Sequence, residues 1–200
     1  MQTARVVRFG IVIEGKGEVE AAPLLIRRIC HEICGVFNVH TARPIRITKT
    51  TLVREGELER AVRLAELAIG PADPIIILVD ADDDCPAELG PALKTRALSV
   101  VQRRGIATIV PKHEFESWFL AAARSLAGKR GLSHDLEPPE NPEGIRGAKE
   151  WLRGKMVPGR AYSPTVDQAA LAAEMDLAQA RLSRSFDSFV REIERLIYDV

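Results

Sequence analysis

The chain has 200 residues, 46% of them hydrophobic, enough for one domain with a sizeable core. Its 28 basic and 28 acidic side chains cancel, so bulk charge does not indicate a polyanion partner, although a local basic patch stays open. No apolar run approaches the roughly 20 residues needed to span a bilayer, MQTARVVRFG lacks a signal-peptide pattern, and three cysteines fit reduced thiols in a cytoplasm better than a disulfide framework.

Arg5 to Ile13 (RVVRFGIVI) is a β-branched run without helical period, which predicts a buried strand. From about Glu20, Leu25, Ile26, Ile29, Cys30 and Ile33 recur at helical spacing, and Gly35 is a natural stop. Pro23 belongs in a first turn, so this helix is expected to start just before it. Cys30 and Cys34 share a helix face, but His31 points elsewhere and no second pair follows at zinc spacing. Buried thiols are therefore expected.

Arg43 to Leu52 reads as a second strand or extended segment. Glu55 to Ile69 is helical, with Leu58, Val62, Leu64, Ala65 and Ile69 on the apolar side and Gly70 and Pro71 ending it. Pro74 to Val79 (PIIILV) is a central strand, apolar throughout. A helix is expected from Pro86 to Arg104, a fourth strand from Ile106 to Val110, and a helix from Glu114 to Leu126 burying Phe115, Trp118, Phe119 and Ala122.

This alternation predicts an α/β fold: a mainly parallel, Rossmann-like central sheet of about four strands with helices on both faces. Residues 1–127 form that core. Residues 128–164 are rich in glycine and proline and read as an insertion or lid around one short helix, Ile145 to Leu152. Residues 165–200 form a C-terminal helical segment on the core. Ser183 or Ser185 caps its last helix, whose stripe of Phe186, Phe189, Val190, Ile193, Leu196 and Ile197 is core packing.

In an open parallel sheet, ligands bind beyond the carboxyl ends of the strands. The first strand ends at Glu14, and the third at Asp80, followed by Asp82, Asp83 and Asp84. As neighbours, those strands place Glu14 and Asp80 on one crevice. On a continuing extended chain Asp80 and Asp82 point the same way. Like charges gathered there call for neutralisation, and magnesium takes a few carboxylates with waters and phosphates. Asp80 and Asp82 are accordingly read as metal ligands. Asp83 and Asp84 also read as solvated turn residues, Asp84 capping the helix near Pro86.

An EF-hand fails, because Cys85 and Pro91 stand where glycine and glutamate are needed. Gly15-Lys16-Gly17-Glu18 is not a P-loop, and Glu20 spoils a dinucleotide pattern. A D-x-D nucleotide-sugar enzyme stays open as an alternative, although it gives Glu14 no role.

Ile11-Val12-Ile13-Glu14-Gly15-x-x-Glu18, followed by the D-x-D of Asp80 and Asp82, resembles the Toprim domain of topoisomerases, primases and OLD-type nucleases, over roughly Phe9 to Val110. Phe115-Glu116-x-Trp118-Phe119-Leu120 resembles a segment of RloB-like proteins. Ala148 to Leu152, Asp167-Gln168, Met175-Asp176 and Ser183 to Phe186 are similar to an uncharacterised Toprim-like bacterial family, a domain of unknown function often encoded beside an AAA- or ABC-type ATPase.

The resemblance implies Glu14 as general acid/base or metal ligand, and Asp80 and Asp82 as ligands of Mg2+ or Mn2+. Glu18 and Glu116 would assist directly or through water, and Lys149 would meet a phosphate. It implies a nuclease-like protein acting on DNA or RNA phosphodiesters, in phage or mobile-element defence with an ATPase partner. A non-catalytic regulatory subunit of such an ATPase system is the alternative. No tyrosine sits in a suitable DNA-cleaving module, so water is the expected nucleophile. Lys129, Arg130, Arg146, Arg153, Lys155 and Arg160 concentrate positive charge in the lid, interleaved with acids.

Overall fold

A computed structural model of the chain describes residues 6–70, 72–101 and 105–198. The expected strand start at Arg5 and the breaker Pro71 lie outside the described residues, while the helix expected from Pro86 to Arg104 already ends at Leu98.

The first strand, β1 (Val7–Ile13), is buried from Phe9 onward, as its unbroken apolar run requires of a strand covered on both faces. A tight turn leads into α1 (Glu18–Glu32), which buries Ala21, Ala22, Leu25, Ile26, Ile29 and Cys30. The helix begins earlier than Pro23 suggested, and Pro23 lies buried inside it. Glu18 and Glu20 favour this early start, since carboxylates in a first turn complement the helix dipole.

Next come β2 (Val39–Thr41) and β3 (Ile45–Arg46), which pair in parallel with the start and the end of β1. The extended segment expected through Leu52 stops short, because Lys49–Leu52 is a helical turn, α2. Thr50 and Thr51 gave that segment its strand character, and here they lie at a helix start where Thr48 Oγ1 meets Thr51 Oγ1 at 3.0 Å.

After α3 (Glu57–Ile69), Gly70 adopts φ 112°, a conformation that favours glycine. Leu64, expected on the apolar side, is instead 45% exposed, and Ala61 takes the buried position. Then β4 (Ile75–Leu78) is buried at every residue, α4 (Pro86–Leu98) starts with its proline in the first turn, and β5 (Ile106–Ile109) closes the sheet.

The strand order is β2/β3–β1–β4–β5, all parallel, with Ile13 beside Leu78 and Leu78 beside Ile109. One apolar cluster lies on the α3 and α4 face and a larger one on the α1 face, so helices cover both sides as expected.

The helix expected from Glu114 is broken into α5 (Ser117–Ala121) and α6 (Ala123–Leu126), with Ala122 at φ −92° and ψ 12° between them. Phe115, Trp118, Phe119 and Ala122 are fully buried. The lid segment holds a 3-10 turn at Pro142–Gly144 and α7 (Ala148–Gly154), which starts after Gly147 rather than at Ile145. Gly147 adopts φ 73°, a left-handed step that redirects the chain into the helix.

The tail comprises α8 (Pro164–Glu174), α9 (Leu177–Ala180) and α10 (Arg184–Tyr198). Ser183 Oγ accepts from the Phe186 N–H at 3.3 Å, so Ser183 provides the cap. Trp118 stacks on Phe189 of α10 with ring centres 5.4 Å apart, which ties the tail to the larger cluster. Among the described residues no helix is long and apolar enough to cross a membrane.

Candidate functional site

The register carries two acids to the same end of the sheet. Ile13 pairs with Leu78, so Glu14 follows β1 beside Val79, and Asp80 comes one step later. The β4–β5 ladder continues past the strands, with Val79 N–H donating to the Ile109 carbonyl and Ala81 N–H to the Pro111 carbonyl. Asp82 then adopts φ 50°, which turns the chain. The chain is therefore not extended through Asp82 as expected, although Asp80 and Asp82 still line the same cavity. Asp80 turns inward and is buried, while the Asp82 side chain is about half exposed at the rim.

Two further carboxylates join them. Glu18, the first residue of α1, is buried and accepts from the Gly15 N–H at 3.1 Å. Glu116 is fully buried just before α5. The Phe115 N–H donates to Asp80 Oδ1 at 2.8 Å, which fastens the segment carrying Glu116 to the end of β4. Glu14, Glu18, Asp80 and Asp82 line one cavity of about 400 Å3, together with Lys149 and Gln168. Gly17 serves close packing at its floor, since a Cβ there would stand 2.5 Å from the Pro164 carbonyl oxygen of α8.

Burial dominates the electrostatics. It raises Glu14 above the usual carboxylate range, and the Asp82 charge adds to the rise. Glu18 is pushed up to about 7 by burial, reinforced by Glu116 and Glu14. Asp80 rises well above its ordinary value through burial and the neighbouring Glu18 and Glu116. Burial raises Glu116 too, against the opposing pull of Lys149.

Lys149, near the start of α7, answers this charge. Its Nζ lies 2.9 Å from Glu114 Oε1, 3.6 Å from Glu116 Oε2 and 4.0 Å from Asp80 Oδ2. Burial opposes its positive charge, but Glu116, Glu114 and Asp80 outweigh burial and raise its pKa. Glu114 also accepts from the Lys149 backbone N–H at 3.1 Å, so the lid is pinned by main chain and side chain together.

On the opposite rim, Lys49 of α2 donates to the Ala81 carbonyl at 2.6 Å and meets Asp82 at 2.9 Å and Asp84 at 3.0 Å. Asp84 is thus an ion-pair partner and not the cap of α4, a position held by Cys85. Asp83 pairs with Arg146 from the lid.

Sequence reasoning assigned no site role to four of these residues. Glu114 stands two places before Glu116, and that alternation was a usable signal. Lys49 was hidden by the strand-like reading of its segment. Tyr162 and Gln168 donate to Glu116 Oε1 at 2.9 and 3.1 Å across 46 and 52 residues of chain, and no local pattern announces such contacts. His31 and Cys34 lie outside the cavity, and Cys30 is a buried core thiol.

The donor set fits a hydrated divalent cation. Glu14 Oε2 and Glu116 Oε2 are buried without a hydrogen-bond donor. Lys149 Nζ, at 3.6 Å from the latter, is too far to serve as one. Among the described residues no three histidine, cysteine or acidic side chains form a ready-made metal cage. Magnesium does not require one, because it keeps several waters and binds through one or two carboxylates.

No match was found among curated proteins or among solved structures. A family described as "Domain of unknown function (DUF4276)" matches residues 13–194, which span every element from the end of β1 into α10. The chain therefore belongs to the DUF4276 family, and its acidic cavity lies within the matched region.

Proposed function

We propose that this protein is a divalent-cation-dependent nuclease that hydrolyses phosphodiesters of DNA or RNA. The carrying observation is the gathering of Glu14, Glu18, Asp80 and Glu116 at the carboxyl ends of adjacent parallel strands, with two buried carboxylate oxygens lacking a donor. The Toprim resemblance of the same residues supports this reading. Glu14 and Asp80 would hold Mg2+ or Mn2+, Glu18 and Glu116 would contribute directly or through water, and Asp82 would act from the rim. Such a cation, when bound, activates water and stabilises the charge of the phosphoryl group and leaving oxygen.

The chain's own residues have separable tasks. Glu14 is only partly buried, so it can reach either the cation as a ligand or, where other groups hold the cation, the attacking water as a general base. Lys149 keeps the inner carboxylates compatible with burial and reaches the cavity from the lid. Lys16 and Arg46 line the same cavity and would seat the phosphate backbone. Tyr162 and Gln168 hold one oxygen of Glu116 and leave the other aimed at the cluster.

The direct test is incubation of purified protein with supercoiled DNA and with single-stranded RNA under Mg2+ or Mn2+. Cleavage that disappears in Asp80→Asn and Glu14→Gln is expected. Cleavage that survives both substitutions, or its absence under every divalent metal with and without an ATPase partner, would overturn the proposal.

The position of Lys149 favours a second reading, in which the cluster is already neutralised from within. The chain would then be a non-catalytic subunit of an ATPase system, and Asp80→Asn would leave its cellular activity intact.

A further inference from the structure

A larger cleft, of about 580 Å3, lies between α4, the end of β5 and the start of α10. Its volume falls in the range of small-ligand sites. It shares no lining residue with the acidic cavity.

The two cleft carboxylates are already engaged. Glu143 Oε1 accepts from Ser183 Oγ and from the Ser185 N–H, each at 2.8 Å, and Glu192 pairs with Arg195 at 2.7 Å. Lys94, Lys112 and Arg184 also line the cleft, and none has an ion-pair partner among the described residues. Lys94 is half-buried, whereas Lys112 and Arg184 are exposed at the cleft mouth. The lining also includes Pro86, Pro91 and Val110, an apolar surface suited to a flat ring. A peptide strand is disfavoured as occupant, because Arg195 Nη2 already donates to the Ile106 carbonyl at 3.0 Å on the open edge of β5.

We propose that this cleft binds a 5′-mononucleotide unit, its phosphate held by Lys94, Lys112 and Arg184 and its ring against Pro86, Pro91 and Val110. Three cations suit a phosphate monoester better than a neutral ligand, and a guanidinium adds bidentate recognition. The same chemistry is offered by a free nucleotide and by the phosphorylated end of a nucleic-acid strand. This inference does not depend on cleavage in the acidic cavity.

The test is calorimetry of the full chain in EDTA, with adenosine 5′-monophosphate, adenosine, inorganic phosphate and 5′-phosphorylated tetrathymidylate as separate probes. One site is expected for the mononucleotide, at least tenfold tighter than for adenosine or phosphate. Lys94→Gln and Arg184→Gln should each weaken it roughly tenfold, the scale of one charge-assisted hydrogen bond. Ala87→Glu should weaken it similarly, since Ala87 is exposed on the cleft wall and a glutamate in the first turn of α4 favours the helix. Tighter binding of the tetranucleotide assigns the site to a strand end, and equal or weaker binding assigns it to a free nucleotide. Either result supports the site. No binding of either probe at millimolar concentration, or binding indifferent to all three substitutions, would overturn it. Glu14→Gln, in the other cavity, should leave binding unchanged.

Discussion

The ammonium of Lys149 stands 3.6 Å from Oε2 of Glu116, a fully buried carboxylate oxygen with no hydrogen-bond donor. The lid thus supplies the counter-charge for acids held by the sheet, and lid and sheet are linked energetically as well as by chain. Removing one partner of a buried pair leaves an uncompensated charge. Lys149→Met should lower unfolding stability by about 2 kcal/mol in EDTA. Magnesium should restore part of that loss, which thermal melts with and without the metal would show.

Tyr162 donates to the other oxygen of Glu116 at 2.9 Å from a buried position. Tyr162→Phe keeps the ring and removes only this donor. A cost of about 1–2 kcal/mol in urea unfolding is expected. A neutral outcome would mean that Gln168, at 3.1 Å, satisfies Glu116 alone.

Glu18 provides a pH signature. Its folded pKa, about 7, lies above the ordinary 4.5, so the native state binds its proton more tightly than the unfolded chain does. The metal-free protein therefore gains stability from this group below about pH 4.5 and loses it as pH rises through about 7. Glu18→Gln should flatten that slope by on the order of 3 kcal/mol between these limits, measured as unfolding free energy against pH.

The cysteines should separate cleanly. Burial pushes the Cys30 thiol up to about 12 and that of Cys34 up to about 11, whereas Cys85 is exposed. A maleimide at neutral pH should label Cys85 first and leave Cys30 untouched until the chain unfolds, as read by mass spectrometry of peptides.

The strands were legible because β1 and β4 are unbroken apolar runs, a pattern that burial on both faces demands. From those two strands alone, Glu14 and Asp80 followed as neighbours. Legibility failed where tertiary contacts overrode local preference. Pro23 entered a helix interior, the Thr50–Thr51 pair became helical, and Ala122 broke a continuous amphipathic run. The turn at Asp82 was invisible for another reason: aspartate tolerates the left-handed conformation without a glycine to announce it. Tyr162 and Gln168 depend on the docking of the tail, which carries no short-range signature.

The acids after β1 and β4 are proposed to share a divalent cation. A crystal soaked in Mn2+ and measured at the manganese absorption edge tests this most directly. An anomalous peak is expected in the cavity lined by Glu14, Glu18 and Asp80, lost in Asp80→Asn. An empty cavity at saturating manganese, with Lys149 still seated between Glu114 and Glu116, would contradict it.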